Sequence, residues 1–110
     1  MTDPSEGSGR VGAVFGALAD PNRRYLVEAL AVRETATATE LASELPVTRQ
    51  AVSKHLSALG EAGLVERDRV GRETRYRLTP SALGEALGWI ERVGGQWDAR
   101  LAALRRHLGG

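Results

Sequence analysis

Leu45-Pro46-Val47-Thr48-Arg49-Gln50-Ala51-Val52-Ser53-Lys54-His55-Leu56-Ser57-Ala58-Leu59, near the middle of the chain, divides into two faces when wound at 3.6 residues per turn. Val52, Leu56 and Leu59 recur at i, i+4 and i+7 and form a narrow apolar stripe. Arg49, Gln50, Ser53, Lys54 and Ser57 occupy a different arc, and none of them is acidic. A guanidinium, an amide, two hydroxyls and an ammonium are the groups that hydrogen-bond base edges and phosphates in a major groove. Such a face alone is also what an ordinary solvated helix presents. The flanks favour DNA: a short helix stops at Pro46 just before it, and a basic hairpin follows.

Working backward, Glu40-Leu41-Ala42-Ser43-Glu44-Leu45 predicts a short helix with Leu41 and Leu45 inward. Thr37-Ala38-Thr39-Glu40 fits a capping box at its start, and the β-branched run Thr35–Thr39 suits a short strand or turn. Two helices separated by so short a turn are a helix-turn-helix, the second being the reader, over about 48–62 with Thr48 as its N-cap. Upstream, Asp20-Pro21 is a specific helix start, an N-cap followed by proline at the first helical position. That helix buries Leu26, Val27 and Leu30 and turns Arg23, Arg24 and Glu28 to water. Val11, Val14, Phe15 and Leu18 mark a first amphipathic helix. Residues 1–10, rich in Pro, Gly and Ser, read as a disordered tail.

Working forward, Gly63 suits the left-handed cap of the reader. Residues 64–70 and 74–78 predict two strands of a wing over 64–78, joined at Gly71-Arg72-Glu73. Alternation puts Thr74, Tyr76 and Leu78 on a packing face and Arg75 and Arg77 on a basic one. The last helix, about 81–108, carries a seam at Leu83, Leu87, Ile90, Gly94, Trp97, Leu101, Leu104 and Leu108, interrupted only by Gly94, where Gly94-Gly95 invites a kink. So long an apolar seam exceeds what a domain this size covers. We expect this helix and the first to pair with a second copy through Val11, Val14, Phe15, Leu18, Leu87, Ile90, Trp97, Leu101 and Leu104, with Trp89 adding buried area. The expected fold is mainly α with a small β-hairpin: one winged helix-turn-helix domain, 11–108.

Composition excludes much else. With 110 residues and 42% hydrophobic content the chain supports one modest core. There is no cysteine, so thiolate metal sites, disulfides and cysteine nucleophiles are excluded. His55 and His107 lie on separate elements and cannot build a metal site. No cofactor is expected. Neither a membrane span nor a signal peptide is legible, which points to a cytoplasmic protein. The net charge is +1, but Arg49 to Arg77 holds seven cations and four anions, a local excess of three. No nucleophile–base pair or phosphate-binding glycine loop suggests an enzyme.

Four runs taken together, Ala17-Leu18-Ala19-Asp20-Pro21-Asn22-Arg23-Arg24, Glu40-Leu41-Ala42, Gln50-Ala51-Val52-Ser53-Lys54-His55-Leu56 and Leu59-Gly60-Glu61-Ala62-Gly63-Leu64-Val65, resemble the ArsR-type winged helix-turn-helix repressors. The likeness covers about residues 11–80. It implies a homodimer that binds a palindromic operator, often its own promoter, and blocks transcription. It also implies DNA contacts from Arg49, Gln50, Ser53 and Lys54 and from Arg72 and its neighbours. Many members sense metals through cysteines near residues 39–45 or through carboxylate and histidine sets on the terminal helix. Here the first position has no thiol and the last part of the terminal helix, beyond Glu91, offers only Asp98 and His107, so the chain looks like the non-metal branch, and its effector is not legible.

The expected partners are thus double-stranded DNA and a second copy. Arg49 and Gln50 are expected at base edges. Thr48, Ser53, Lys54 and Ser57 are expected along the phosphates, and Arg72 with Arg69 or Arg75 on the backbone or minor groove. His55 points off the polar arc and either packs or bonds within the domain or meets a phosphate. The alternative is a winged-helix module that binds protein through the terminal helix and has little sequence preference for DNA.

Overall fold

In a computed structural model, which describes residues 4–108, the elements run α1 (Pro4–Leu18), α2 (Pro21–Ala31), β1 (Ala36–Thr37), α3 (Ala38–Ala42), α4 (Arg49–Glu61), β2 (Val65–Val70), β3 (Glu73–Leu78) and α5 (Pro80–Leu108). The winged helix-turn-helix expected from the sequence is present. Its helix starts are the ones the side chains dictate. The Asp20 carboxylate accepts from the Asn22 and Arg23 amides at 2.8 and 3.1 Å, with Pro21 next. Thr37 and Glu40 close the capping box of α3, and Thr48 Oγ1 accepts the Ala51 amide at 3.1 Å to start α4.

The end of α4 is a Schellman motif. Gly63, at φ 78°, donates to the Gly60 carbonyl, and Leu64 donates to that of Leu59 at 2.9 Å. Leu59 and Leu64 are both fully buried, so the cap turns the chain back onto its own core and aims it into the wing. The core joins Val14 and Ala17 of α1, Leu26 and Leu30 of α2, Leu41 of α3, Val52, Leu56 and Leu59 of α4, and Ala86 of α5. The apolar stripe of α4 is therefore its inner face, which leaves the polar arc outside.

The sheet is antiparallel in the order β1-β3-β2. Val70 pairs with Glu73, so the hairpin turn is only Gly71-Arg72; Gly71 has φ 63° and Arg72 does not. That combination is a type II′ turn, whose twist suits adjoining strands.

Four expectations need correction. First, α1 begins at Pro4, inside the expected 1–10 tail; residues 1–3 of that tail lie outside the described residues. No proline interrupts the run from Pro4 to Leu18, and proline is tolerated in a first turn. Second, α3 ends at Ala42 rather than Leu45. The Ser43 hydroxyl donates to the Glu40 carbonyl at 2.6 Å, and the Glu44 and Leu45 amides tighten to i−3 bonds. Third, Arg23 and Arg24 do not simply face water. Arg23 Nε donates to the Ala17 carbonyl at 2.6 Å and Arg24 to that of Leu18 at 2.7 Å, so they satisfy the orphan carbonyls at the end of α1. Fourth, the hairpin turn is shorter than Gly71-Arg72-Glu73, because Glu73 already belongs to β3; α5 runs unbroken from Pro80 to Leu108.

Helix α1 packs along the first half of α5, with the Phe15 and Trp89 rings edge-to-face at 5.7 Å. From Glu91 to His107 every residue is exposed except Val93 and Ala102, which are half-buried. The radius of gyration is 18.5 Å, against about 13 Å for a compact domain of this length. The second half of α5 stands off the body.

Candidate nucleic-acid interface

Two neighbouring rows of α4 carry the expected contacts. Arg49, Ser53 and Ser57 follow one another at four-residue steps, and Gln50 and Lys54 form the adjoining row. All are exposed except Ser53, which is half-buried beneath the wing. Neither Arg49 nor Lys54 joins any ion pair among the described residues. The Thr48 hydroxyl oxygen accepts the capping amide, and its hydrogen remains a donor. His55 lies half-buried off this arc, as expected. The backbone amides of Arg23 and Asn22 hold the Asp20 carboxyl below its ordinary pKa, and the charge of His55, across from the start of α2, adds to the effect.

The wing rises beside α4, and a groove of about 600 Å³ runs between them. Arg49 and Ser53 line one wall, Arg72, Thr74 and Tyr76 the other, and Thr39 and Glu40 the end. Tyr76 also lines a second groove of about 410 Å³, where Arg67 faces Ser57, Gly60 and Glu61. Ser53, Lys54, Ser57 and Ala58 border a shallow depression on the outer side of α4.

Strand register decides which wing arginines are available. Val65, Arg67 and Arg69 lie opposite Leu78, Tyr76 and Thr74, on the face toward α4. The far face pairs Glu66 with Arg77 and Asp68 with Arg75. It is not the basic face that alternation along β3 suggests. Arg77 bridges Glu66 at 2.5 Å and Asp68 at 3.3 Å, and Arg75 bridges Glu73 at 2.7 Å and Glu40 at 3.2 Å. Glu66 and Asp68 of β2, Glu73 of β3 itself and Glu40 of α3 neutralise that face. Arg75, expected at DNA, instead has its guanidinium engaged within the protein.

Among the described residues, the wing cations outside any ion pair are Arg67 and Arg69, on the face toward α4, and Arg72 at the tip. Arg69 makes one long bond, at 3.4 Å, to the Gly71 carbonyl. Arg67 was not among the expected contacts. Its parity with the packing residues Val65 and Tyr76 was the available signal, once the hairpin register is counted from the two-residue turn. The structure thus gathers Arg49, Ser53, Arg72 and Arg75 around one groove, with the Arg75 guanidinium held by Thr35, Glu40 and Glu73, places Gln50, Lys54 and Ser57 alongside, and adds Arg67.

The expected pairing surface divides similarly. Phe15, Leu87, Ile90, Trp97, Leu101 and Leu104 are 40–56% exposed, and Arg100 stacks over the Trp97 ring. Val14, in contrast, is 1% exposed, so it belongs to the core and presents nothing to a partner. Leu18 packs against that core as well. In a first helix wedged between α2, α4 and α5, the inner positions are claimed by the chain itself. Among the described residues no three His, Asp or Glu side chains converge on a metal-sized site, and no described helix is long and apolar enough to cross a membrane.

The helix-turn-helix domain family matches residues 18–68. The chain is 38% identical over 91 residues to the uncharacterized HTH-type transcriptional regulator YuzN of Bacillus subtilis, spanning 76% of this chain and 99% of that relative. It is 43% identical over 77 residues to the HTH-type transcriptional regulator CmtR of Mycobacterium tuberculosis, spanning 70% of this chain and 64% of that one. A solved ArsR-like transcriptional regulator from Rhodococcus superposes with a TM-score of 0.80 at 43% identity, over 90% of this chain and 92% of that one. The fold, the capped reading helix with its wing, and these likenesses agree: the chain belongs to the ArsR-type family of winged helix-turn-helix transcriptional regulators.

Proposed function

We propose that this DNA-binding regulator acts as a homodimeric repressor, seating one reading helix of each copy in successive major grooves of a palindromic operator at its own or a neighbouring operon. The observation that carries this is the face formed by α4 and the near side of the wing. Among the described residues Arg49, Lys54, Arg67, Arg69 and Arg72 stand there without carboxylate partners, while Arg75 and Arg77 of the wing are neutralised. Uncompensated cations at the edges of a groove lined with hydroxyls suit a phosphate backbone. Arg49 and Gln50, on the first turn of α4, reach base edges. Thr48, Ser53, Lys54 and Ser57 follow the phosphates, and Arg72 with Arg67 and Arg69 holds the flanking backbone or minor groove.

The second copy follows from α5. Trp97, Leu101 and Leu104 face water over a helix that extends past its own domain, and pairing through Phe15, Leu87, Ile90 and these residues covers them. Two-fold pairing spaces the reading helices about 34–36 Å apart, one turn of DNA. Occupation of such a site at a promoter excludes the polymerase, which is repression by the simplest route. The site of action is the cytoplasm, where the promoter lies.

The exposed α5 also suits the alternative, a protein-docking module with little DNA preference, but that reading leaves the free cations of α4 without a role. Selection of genomic fragments by the purified protein separates the two. A repressor enriches a few sites with inverted half-sites, including promoter DNA. An unenriched pool contradicts repression and favours the docking module.

A further inference from the structure

We propose that Arg75 is a positioning residue that fixes the wing to the helix-turn-helix, setting where Arg72 and Arg67 meet the DNA without touching DNA itself; this rests on the DNA-binding reading above. Its guanidinium joins three separate segments. Nε donates to Thr35 Oγ1 at 2.8 Å, in the loop before β1. One terminal nitrogen lies 3.2 Å from Glu40 Oε1 on α3, and the other donates to Glu73 at 2.7 Å on its own strand. Glu40 Oε1 is also the acceptor of the Thr37 amide in the capping box. One carboxylate oxygen thus joins the start of the first helix of the helix-turn-helix to the third residue of β3. Lysine, a point donor on a flexible stem, cannot reproduce this fork.

Two features make the fixing consequential. The tip of the hairpin stands free: a Cβ on Gly71 would meet nothing within 4 Å. Its direction is therefore set at the base, where β1 contributes only two paired residues, one of them Thr37 opposite Arg75. Arg72 lies three residues beyond Arg75, about 10 Å along a strand, so a small rotation at the base moves the tip off a phosphate. The groove shared with Arg49 and Arg72 also holds the carboxylates of Glu40 and Glu73. Arg75 pairs with both, which keeps two anions from repelling DNA at the place where the free cations approach it.

Arg75→Lys, Thr35→Val and Arg72→Ala test this, alone and combined, by titration of operator and scrambled duplexes. Nitrogen-15 relaxation of the Gly71 and Arg72 amides in the DNA-free protein accompanies them. A positioning role predicts that R75K weakens operator binding about tenfold, although the charge is kept. It predicts that T35V, which alters no charge, weakens it in the same direction by less. R72A costs little further in the R75K background, and both clamp variants increase motion at the tip. A direct phosphate contact predicts instead that R75K, which keeps the charge, and T35V bind like the wild type and that R72A costs as much in the R75K background as alone, and that result overturns the proposal. If R75K fails to fold, T35V alone decides between these outcomes. If the wild type discriminates no DNA, the repressor reading falls, and the relaxation of the tip still shows whether Thr35 and Arg75 hold the wing.

Discussion

Among the described residues, helices α4 and α5 each leave one face without a partner, and the two faces are opposite in kind. On α4 the apolar stripe of Val52, Leu56 and Leu59 is wholly buried, and what remains outside is cationic and hydroxylic. On α5 the apolar seam itself is outside, with Trp97, Leu101 and Leu104 at 43–56% exposure. A free charged face costs little in water and gains when phosphates replace its counterions. A free apolar face is unfavourable until something covers it. The first suits a polyanion and the second a copy of itself. In the proposed dimer the two kinds of binding are coupled, because pairing through α5 would set the spacing at which both α4 helices reach DNA.

The comparison is broken most forcefully at α5. Changing Leu101 and Leu104 together to Glu leaves the core untouched, since neither belongs to it. Sedimentation equilibrium is expected to change from twice 11.8 kDa to that mass, and operator affinity to fall about 10²–10⁴-fold with the loss of bivalency. A wild type that sediments as a single chain sinks the pairing. Next comes the inner face of α4. Leu56→Ala, at a residue 1% exposed, is expected to cost about 2–5 kcal/mol in urea unfolding. Operator affinity of the folded fraction is expected to stay near wild type, because Leu56 faces away from the polar arc.

Arg49→Ala sharpens the outer face. It is expected to cost about 1–3 kcal/mol of binding, mostly as lost discrimination between operator and scrambled duplex. Arg72→Ala is expected to weaken both duplexes alike and to lower the salt slope by about one. Arg77→Ala, on the neutralised face, is expected to leave that slope unchanged. The smallest effect is a pH dependence of the fold. Backbone amides hold the Asp20 carboxyl below its usual pKa, and the Thr37 amide, its hydroxyl and Arg75 do the same for Glu40. Groups with depressed folded pKa values stabilise above the ordinary carboxylate range and lose that contribution as pH falls through it. Melting temperature is therefore expected to decline below about pH 4, and less so in Asp20→Asn.

What was legible in the sequence was local chemistry. Asp20-Pro21, Thr37 with Glu40, Thr48 and Gly63 each act on backbone groups within five residues, so spacing alone identifies them. The stripe of α4 and the seam of α5 were legible for the same reason. The features that were not legible depend on which segment lies opposite. Arg77 looks free along β3, where only Glu73 shares the face of Arg75, but the register brings Asp68 and Glu66 to that face, and the fold brings Glu40. Arg67 looks like one cation among many until it is placed across from Tyr76. Val14 satisfies the pattern of an interface as well as that of a core, and only the packing of α1 between three other helices separates them. Arg23 and Arg24 cap a helix that ends before they begin, a relation that neither periodicity nor charge pattern carries.

The most direct test of DNA binding through α4 and the near face of the wing is a titration of the protein with a labelled duplex from its own upstream region, competed with scrambled duplex over a series of salt concentrations. Two chains per site, resistance to the competitor and a steep loss of affinity with salt are expected, the slope falling by about one in Arg72→Ala and not at all in Arg77→Ala. Equal competition by scrambled duplex, with the same slope in wild type and Arg72→Ala, would contradict it.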